Sequence, residues 1–504
     1  MVAAPGLVAV VGAGTMGSGI AQVAARAGHP VRLVDAAPAA LERGLAAVRR
    51  DLEAQVTRGR MAREDAEAAL DRIRPAEHVE EVAGADWVVE AIVEDRDAKR
   101  ALVRALEAVV SADCVIASNT SSISITELAA GARHPGRVVG MHFFNPVPRM
   151  ALVEVVDGLA TDPAVAARVE ELARAWGKTP VRCRSTPGFI VNRVARPLYG
   201  EAMRTLTEQA TDAATLDAIV RECGAFPMGP CELMDLIGLD VNLAVTGSTF
   251  QALGWDRRYA PSLVQQELVR AGRLGRKSGQ GFHRYGEGAP PAVPAAEPAR
   301  PAPAELVAPA AAGLAEPLLA RLAGAGVRVR REGEPGSPWR AGRARLLLTD
   351  GRTATRRAAE EGWSDLVLVD FCRDFARSPR LCAARSDTCS DEAWHDATGL
   401  LQAAGVAVSR VDDMAGLVVA RILATLANEA ADVVTQGIAS PADVDTAMRL
   451  GTNWPEGPLA WCDRAGAVTV VALLDHLRAH TGEERYRVSP GLSRRRWSGG
   501  VFHG

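Results

Sequence analysis

None of the eight cysteines forms a Cys-x-x-Cys pair, and the nine histidines make no metal-ligand cluster with them. Disulfide scaffolds, zinc ribbons and dithiol redox motifs are thereby excluded, leaving reduced, packed thiols and no metal site. Neither sign of charge is in excess: 58 Lys and Arg stand against 61 Asp and Glu, for a net charge of −3. Nucleic acid and an anionic membrane surface are therefore not expected partners. No apolar run reaches the roughly 18 residues that a bilayer span needs. The N-terminal stretch lacks a basic region, and its apolar run is broken by Gly12 and Gly14, so it reads as a first strand rather than a signal peptide. A cytoplasmic protein is the expectation. With 504 residues the chain is too long for one core, and about 150 residues per domain suggests three or four domains.

The stretch Val8-Ala-Val-Val-Gly-Ala-Gly-Thr-Met-Gly17 is apolar and then turns at once into Gly12-x-Gly14-x-x-Gly17. A strand turns sharply at Gly12, backbone can approach a pyrophosphate at Gly14, and Gly17 lets the next helix pack closely with its N-terminus toward the phosphates. A second apolar run, Val31-Arg-Leu-Val-Asp35, ends in an acid. Asp35 can accept hydrogen bonds from a ribose 2′-hydroxyl and would repel a 2′-phosphate, which points to NAD rather than NADP.

Residues 1–185 alternate strand-like runs with amphipathic segments, the pattern of a parallel sheet with helices on both faces. Further strand candidates are Trp87–Ile92, Val115–Ala117, Val138–Met141 and Leu152–Val156, while the charged segment from Ala40 to Arg74 reads as two projecting helices. Residues 186–285 turn helical, and 286–304 form a Pro/Ala-rich linker. Residues 305–410 resemble a small α/β unit with strands at Arg345–Thr349 and Leu366–Asp370 but no glycine turn, hence no dinucleotide site. Residues 411–504 repeat the first helical region at an offset of 228: Gly188-Phe-Ile-Val recurs as Gly416-Leu-Val-Val, Arg193 as Arg421, Glu201 as Glu429, Asp217 as Asp445 and Asp235 as Asp463. Such a register marks a duplicated helical domain. Asn192 becomes Ala420 and, with a further eight-residue shift, Lys277-Ser-Gly279 becomes Trp497-Ser-Gly499, so one copy reads as functional and the other as structural.

His142 follows directly on a strand-like run, at the strand end where open α/β sheets place ligands. Glu154 lies within the apolar Leu152-Val-Glu-Val-Val156, where an unpaired carboxylate is costly to bury; it either faces water on an edge strand or pairs. A His142–Glu154 pair resolves both oddities, because the carboxylate orients the imidazole and stabilises its protonated form.

Gly12-Ala-Gly-Thr-Met-Gly17, Val88-Val-Glu-Ala-Ile-Val-Glu94, Ser118-Asn-Thr-Ser-Ser122, His142-Phe-Phe-Asn-Pro146, Pro187-Gly-Phe-Ile-Val-Asn-Arg193 and Gly275-Arg-Lys-Ser-Gly-Gln-Gly-Phe282 occur in this order. In sequence and spacing they resemble the 3-hydroxyacyl-CoA dehydrogenase family over residues 1–285. The reduced α/β unit and duplicated tail resemble its long bacterial form. That resemblance implies a Rossmann NAD-binding domain with an all-α domain, followed by a reduced Rossmann-like unit and a second, degenerate helical copy. It implies NAD-dependent oxidation of an (S)-3-hydroxyacyl-CoA, such as 3-hydroxybutyryl-CoA or 3-hydroxyadipyl-CoA, in fatty-acid or phenylacetate breakdown. His142 would be the base and Glu154 its orienter, with Ser121 and Asn192 binding the reacting oxygen and thioester region. Gly12, Gly14, Thr15, Met16, Gly17, Asp35, Glu94, Lys99, Asn119, Asn145 and Lys277 would contact NAD. Taken alone, Glu94 and Lys99 read as an exposed pair at a helix start, and Thr120 and Ser122 as loop-shaping residues. The family's CoA-contacting serine and lysine fall near Asp51 and Arg58; Arg58 can meet a phosphate and Asp51 cannot. Arg149 and Arg193 are candidate partners for a substrate carboxylate. The family's helical domain makes a dimer, so the duplication implies either a homodimer or a pseudo-dimeric monomer. A gulonate 3-dehydrogenase-like enzyme and a crystallin-like NAD-binding protein without turnover are the other readings. The former's members are short, and Ser121, His142, Glu154 and Asn192 argue against the latter.

Overall fold

The computed structural model describes residues 6–504. The chain separates into two compact units: one runs to Arg193 and includes Gln436–Thr452, and the other comprises Val194–Thr435 and Asn453–Gly504.

The first unit is built on eight strands: β1 (Val8–Val11), β2 (Val31–Val34), β3 (Ile73–Ala76), β4 (Trp87–Glu90), β5 (Val115–Ser118), β6 (Val138–Phe143), β7 (Leu152–Asp157) and β8 (Thr179–Arg184). Their order is β3-β2-β1-β4-β5-β6-β7-β8. Valine-rich strands buried on both faces are the expected interior of such a sheet. The expected all-parallel arrangement needs one correction: β6 and β7 are antiparallel. Only the loop 144–151 joins them, too short for the crossover a parallel neighbour requires. That reversal makes His142 and Glu154 direct cross-strand partners. A second correction concerns the charged segment. Its helices, Pro38–Thr57 and Arg63–Asp71, do not simply project: Leu41, Val48, Leu52, Ala66 and Ala69 join the core packed on the helix Thr15–Arg26.

The second unit holds a seven-stranded sheet: β9 (Glu305–Ala308), β10 (Arg328–Arg331), β11 (Trp339–Ala341), β12 (Ala344–Leu348), β13 (Leu366–Val369), β14 (Arg380–Arg385) and β15 (Ala407–Arg410). Their order is β10-β9-β11-β12-β13-β14-β15. The 228-residue offset extends into this sheet. It carries β7 onto β14 and the helix Pro163–Ala175 onto Asp391–Ala403, end for end. β12 to β15 repeat the parallel, antiparallel, parallel sequence of β5 to β8. The repeat therefore includes the second half of the nucleotide-binding fold but not its glycine-turn half. The Pro/Ala segment is extended and pinned within this unit: the Glu297 amide bonds the Val408 carbonyl, and Gln402 Oε1 accepts from the Arg300 amide.

The two helical copies grip each other reciprocally. Tyr259 and Arg258 bond Glu429, while Tyr486 and Arg485 bond Glu201. Arg421 forks onto Glu208 with two 2.9 Å bonds; in the first unit its counterpart Arg193 bonds Gln436, the counterpart of Glu208, at 3.0 Å.

Candidate active site

The glycine turn is shaped as its residue types require. Gly12 has φ +107°, and a Cβ on Gly17 would lie 1.7 Å from the Gly12 carbonyl oxygen. A Cβ on Gly14 would meet nothing within 4 Å. Gly14 instead borders a cleft of about 480 Å³ that Val34, Asp35, Ile92 and Val93 also line. The helix Thr15–Arg26 carries no side-chain cap, so the amides of its first turn are left for a ligand. Thr15 is exposed there and Met16 half-buried. Asp35 is pinned at the end of β2, Oδ2 accepting from the Ala13 amide at 2.8 Å and Oδ1 from the Ala37 amide at 3.0 Å. An open backbone concavity, an uncapped helix start and a fixed carboxylate fit a dinucleotide.

Lys99 departs from the expected exposed pair: it is 1% exposed, with Nζ 2.6 Å from Glu90 and 3.3 Å from Glu94. Glu90 escaped sequence reasoning, although a carboxylate in the apolar Trp87-Val-Val-Glu90 gives the same signal as Glu154. It also accepts from the Ser118 hydroxyl and the Ile92 amide, tying β4 to the end of β5. Glu94 Oε1 in turn gathers Thr120 Oγ1, Ser122 Oγ and the amides of Ser121 and Ser122. Burial opposes ionisation of Glu94, but these donors and the Lys99 charge hold its pKa below the ordinary value. Thr120 and Ser122 are thus occupied in shaping the loop that presents Ser121. Asn119 Oδ1 accepts from the Phe143 amide at 2.8 Å and fixes the end of β6, next to His142. Asn145 is exposed on the following loop.

His142 and Glu154 are brought together. His142 Nδ1 lies 2.6 Å from Glu154 Oε2, with His142 6% and Glu154 0% exposed, so the edge-strand alternative for Glu154 is ruled out. Oε1 accepts from the amides of Ile190 and Val191 at 3.0 and 2.9 Å, where Pro187-Gly-Phe-Ile-Val enters the helix Val191–Val194. Asn192 lies on this helix. The aromatic rings of Phe144 and Phe189 lie 4.6 and 5.7 Å from the imidazole. With Nδ1 bonded to a fully buried carboxylate, Nδ1 carries the proton and Nε2 is the basic nitrogen.

Other candidates are occupied elsewhere. Asp51 Oδ2 accepts from Gln22 and Gln55, and its Oδ1 lies 3.6 Å from Arg149; against its burial, these partners hold the carboxyl below its usual range. Arg149 thus already has a carboxylate, and Arg193 is 2% exposed and turned to Gln436, which removes it as an open site for a substrate acid. Arg58 is exposed, ending the helix Pro38–Thr57. Lys277 lies in the other unit, paired with Asp240.

The second copy shows the same framework with different polar groups. At the 228 offset Asp370 stands for His142, Cys382 for Glu154, Thr349 for Ser121 and Ala420 for Asn192. Asp370 takes over the task of Glu154 directly. Its carboxylate accepts from the amides of Val418, Val419 and Ala420 and from its neighbour Phe371. Burial pushes its pKa up to about 6 against those donors.

Family models match most of the chain. The 3-hydroxyacyl-CoA dehydrogenase NAD-binding domain matches residues 7–186, and the C-terminal domain of that family matches 188–285 and again 416–499. The reduced Rossmann-fold domain of 3-hydroxybutyryl-CoA dehydrogenase matches 346–414. The 3-hydroxyadipyl-CoA dehydrogenase of Escherichia coli K12 is 43% identical over 480 residues, 95% of each chain. A probable 3-hydroxybutyryl-CoA dehydrogenase of Bacillus subtilis is 42% identical over 55% of this chain and 96% of its own. The crystal structure of a 3-hydroxybutyryl-CoA dehydrogenase from Escherichia coli K12 superposes with TM-score 0.90 at 41% identity, covering 98% of both chains. Sequence, site geometry and whole-chain fold agree: this chain belongs to the 3-hydroxyacyl-CoA dehydrogenase family.

Proposed function

We propose that this NAD-dependent dehydrogenase oxidises short (S)-3-hydroxyacyl-CoA thioesters, 3-hydroxybutyryl-CoA or 3-hydroxyadipyl-CoA, at a single site in its first unit. The carrying observation is the buried Glu154 carboxylate, whose two oxygens are divided between His142 Nδ1 and the helix bearing Asn192. His142 Nε2 takes the 3-hydroxyl proton as the C3 carbonyl forms, and Glu154 stabilises the imidazolium that results. NAD, when bound, supplies the hydride acceptor. Ser121 and Asn192 hold the reacting oxygen and the thioester region. Gly12, Gly14, Thr15, Met16 and Gly17 cradle the pyrophosphate, and Asp35 selects the unphosphorylated ribose. Lys99, Glu94 and Asn119 set the wall on which the nicotinamide half rests, with Asn145 as a further contact. Arg58 meets a CoA phosphate, and Asp51, already bonded to Gln22, Gln55 and Arg149, makes none of the contacts a serine would. The test is NADH formation with each thioester; no turnover with either would overturn the reading. Relative kcat/KM on the two decides the chain preference.

The gulonate-type and crystallin-like readings give way to a match that spans 95% of a long dehydrogenase. The chain works as a pseudo-dimeric monomer. The reciprocal Tyr259–Glu429 and Tyr486–Glu201 bonds support this, as does the helix Pro441–Thr452, which packs on β7 and β8 of the first unit. Solution mass measures it directly, and a chain lacking 405–504 that stays folded and fully active would refute it. No described helix is long and apolar enough to cross a membrane, and eight buried, unbridged cysteines suit a reducing cytoplasm.

A further inference from the structure

Lys178 ends the turn between the helix Pro163–Ala175 and β8 and is 8% exposed. Its Nζ donates to the carbonyls of Val147 at 2.6 Å and Met150 at 2.8 Å. Both lie on the loop 144–151 that joins the strand of His142 to the strand of Glu154. Beside it, a cleft of about 350 Å³ is lined by Val23, Arg26, Pro148 and Trp176 among others, and no acidic residue lines it. The charged group that acts on Lys178 is Arg26, from the helix Thr15–Arg26. Burial first, and then Arg26, pull the Lys178 pKa down to about 8.

A buried ammonium held by carbonyls beside another cation costs stability, and an apolar side chain of similar length would avoid that cost. What the ammonium does hold is a loop with contacts that reach the site and the glycine-turn helix. Phe144 packs on the His142 ring, Val147 and Pro148 lie against Gly19 of the glycine-turn helix, and Arg149 meets Asp51. The loop's far end is fixed by the Thr179 amide on the Ala151 carbonyl, one residue after Lys178 itself.

We propose that Lys178 is a positioning residue, locking the loop between His142 and Glu154 through two backbone carbonyls so that the imidazole meets the substrate in register. This rests on the assignment of His142 as base. The loop is not part of the regular sheet ladder, so without the ammonium its two carbonyls lose the donor that holds them. A displacement near 1 Å at a reacting group is enough to cost about 100-fold in rate.

The test measures kcat, both KM values, NAD affinity by equilibrium titration and melting temperature for full-length Lys178→Met, Lys178→Arg and His142→Gln. In Lys178→Met, kcat falls about 10- to 100-fold while NAD affinity stays within about threefold, and the melting temperature holds or rises because a buried charge is gone. Lys178→Arg, which keeps a cationic donor, recovers at least a third of the lost decades. Three results overturn the proposal: a Lys178→Met chain with kcat within threefold of the parent, a loss of kcat matched by equal loss of NAD affinity, or a lowered melting temperature with no recovery in Lys178→Arg. Full activity in His142→Gln would instead overturn the base assignment itself, separating the two failures.

Discussion

Replacing Glu154 by Gln keeps the volume of a side chain that is wholly buried but changes what its two ends can do. The amide oxygen can still accept from the Ile190 and Val191 amides, which lie at 3.0 and 2.9 Å from Oε1. The amide nitrogen then faces His142 Nδ1 across 2.6 Å, and two donors cannot share that contact. The imidazole must therefore accept at Nδ1 and carry its proton on Nε2, the nitrogen that should take the hydroxyl proton. Loss of the base, together with loss of the anion that stabilises the imidazolium, is worth about 10²–10⁴-fold in kcat, or about 3–5.5 kcal/mol of barrier. Steady-state NADH formation with 3-hydroxybutyryl-CoA measures it, and NAD affinity should hold within about threefold because no nucleotide-facing group moves. A Glu154→Gln enzyme with kcat within threefold of the parent would refute the reasoning.

Asp35→Ser should lower kcat/KM for NAD by about tenfold and raise relative use of NADP, since a fixed carboxylate at the β2 end is removed; unchanged cofactor preference would contradict the role. Gly17→Ala puts a methyl group 1.7 Å from the Gly12 carbonyl oxygen, so NAD titration should show binding abolished. Glu201→Ala strips a buried partner from Arg421, Arg485 and Tyr486 and should cost about 3–5 kcal/mol in denaturant melts, while Glu→Ala at an exposed site such as Glu53 should cost almost nothing. Asp370 carries a pH prediction. Its folded pKa of about 6 lies above the ordinary 3.8, so the folded state holds the proton more tightly and this group adds stability as pH falls from about 6 to 4. The gain is about 3 kcal/mol, and Asp370→Asn should lack it. Melts at the two ends of that window giving the same pH dependence in both chains would contradict this.

The catalytic half was legible where physics leaves few choices. Gly12, Gly14 and Gly17 are spaced as a turn, an approach and a close packing require, and Glu154 stood out because an apolar strand cannot hold a lone carboxylate cheaply. The same argument applied to Glu90 points to its buried Lys99 partner, whereas Glu94 and Lys99 look like an exposed pair because both ends of a salt bridge resemble surface residues in sequence. β3 and β8 went unseen because Ile73-Arg-Pro-Ala76 and Thr179-Pro-Val-Arg-Cys-Arg184 are proline-bearing edge strands with weak apolar patterns. The larger omission was the extent of the duplication. Helical Gly, Pro and charge markers carried the 228 offset through the tail. In β12 to β15, however, Asp370 for His142 and Cys382 for Glu154 erased the polar landmarks, and only strand order and ends reveal the match. In the second copy it is Asp370, at the His142 position, whose carboxylate accepts from the amides of the incoming helix, the structural half of what Glu154 does in the first.

The most direct test of a single base in a single working copy is single-turnover NADH formation by full-length His142→Asn, with NAD stoichiometry measured on the same sample. One NAD should bind per chain, and the burst rate should fall at least about 100-fold. Two NAD per chain, or a burst as fast as the parent's, would contradict it.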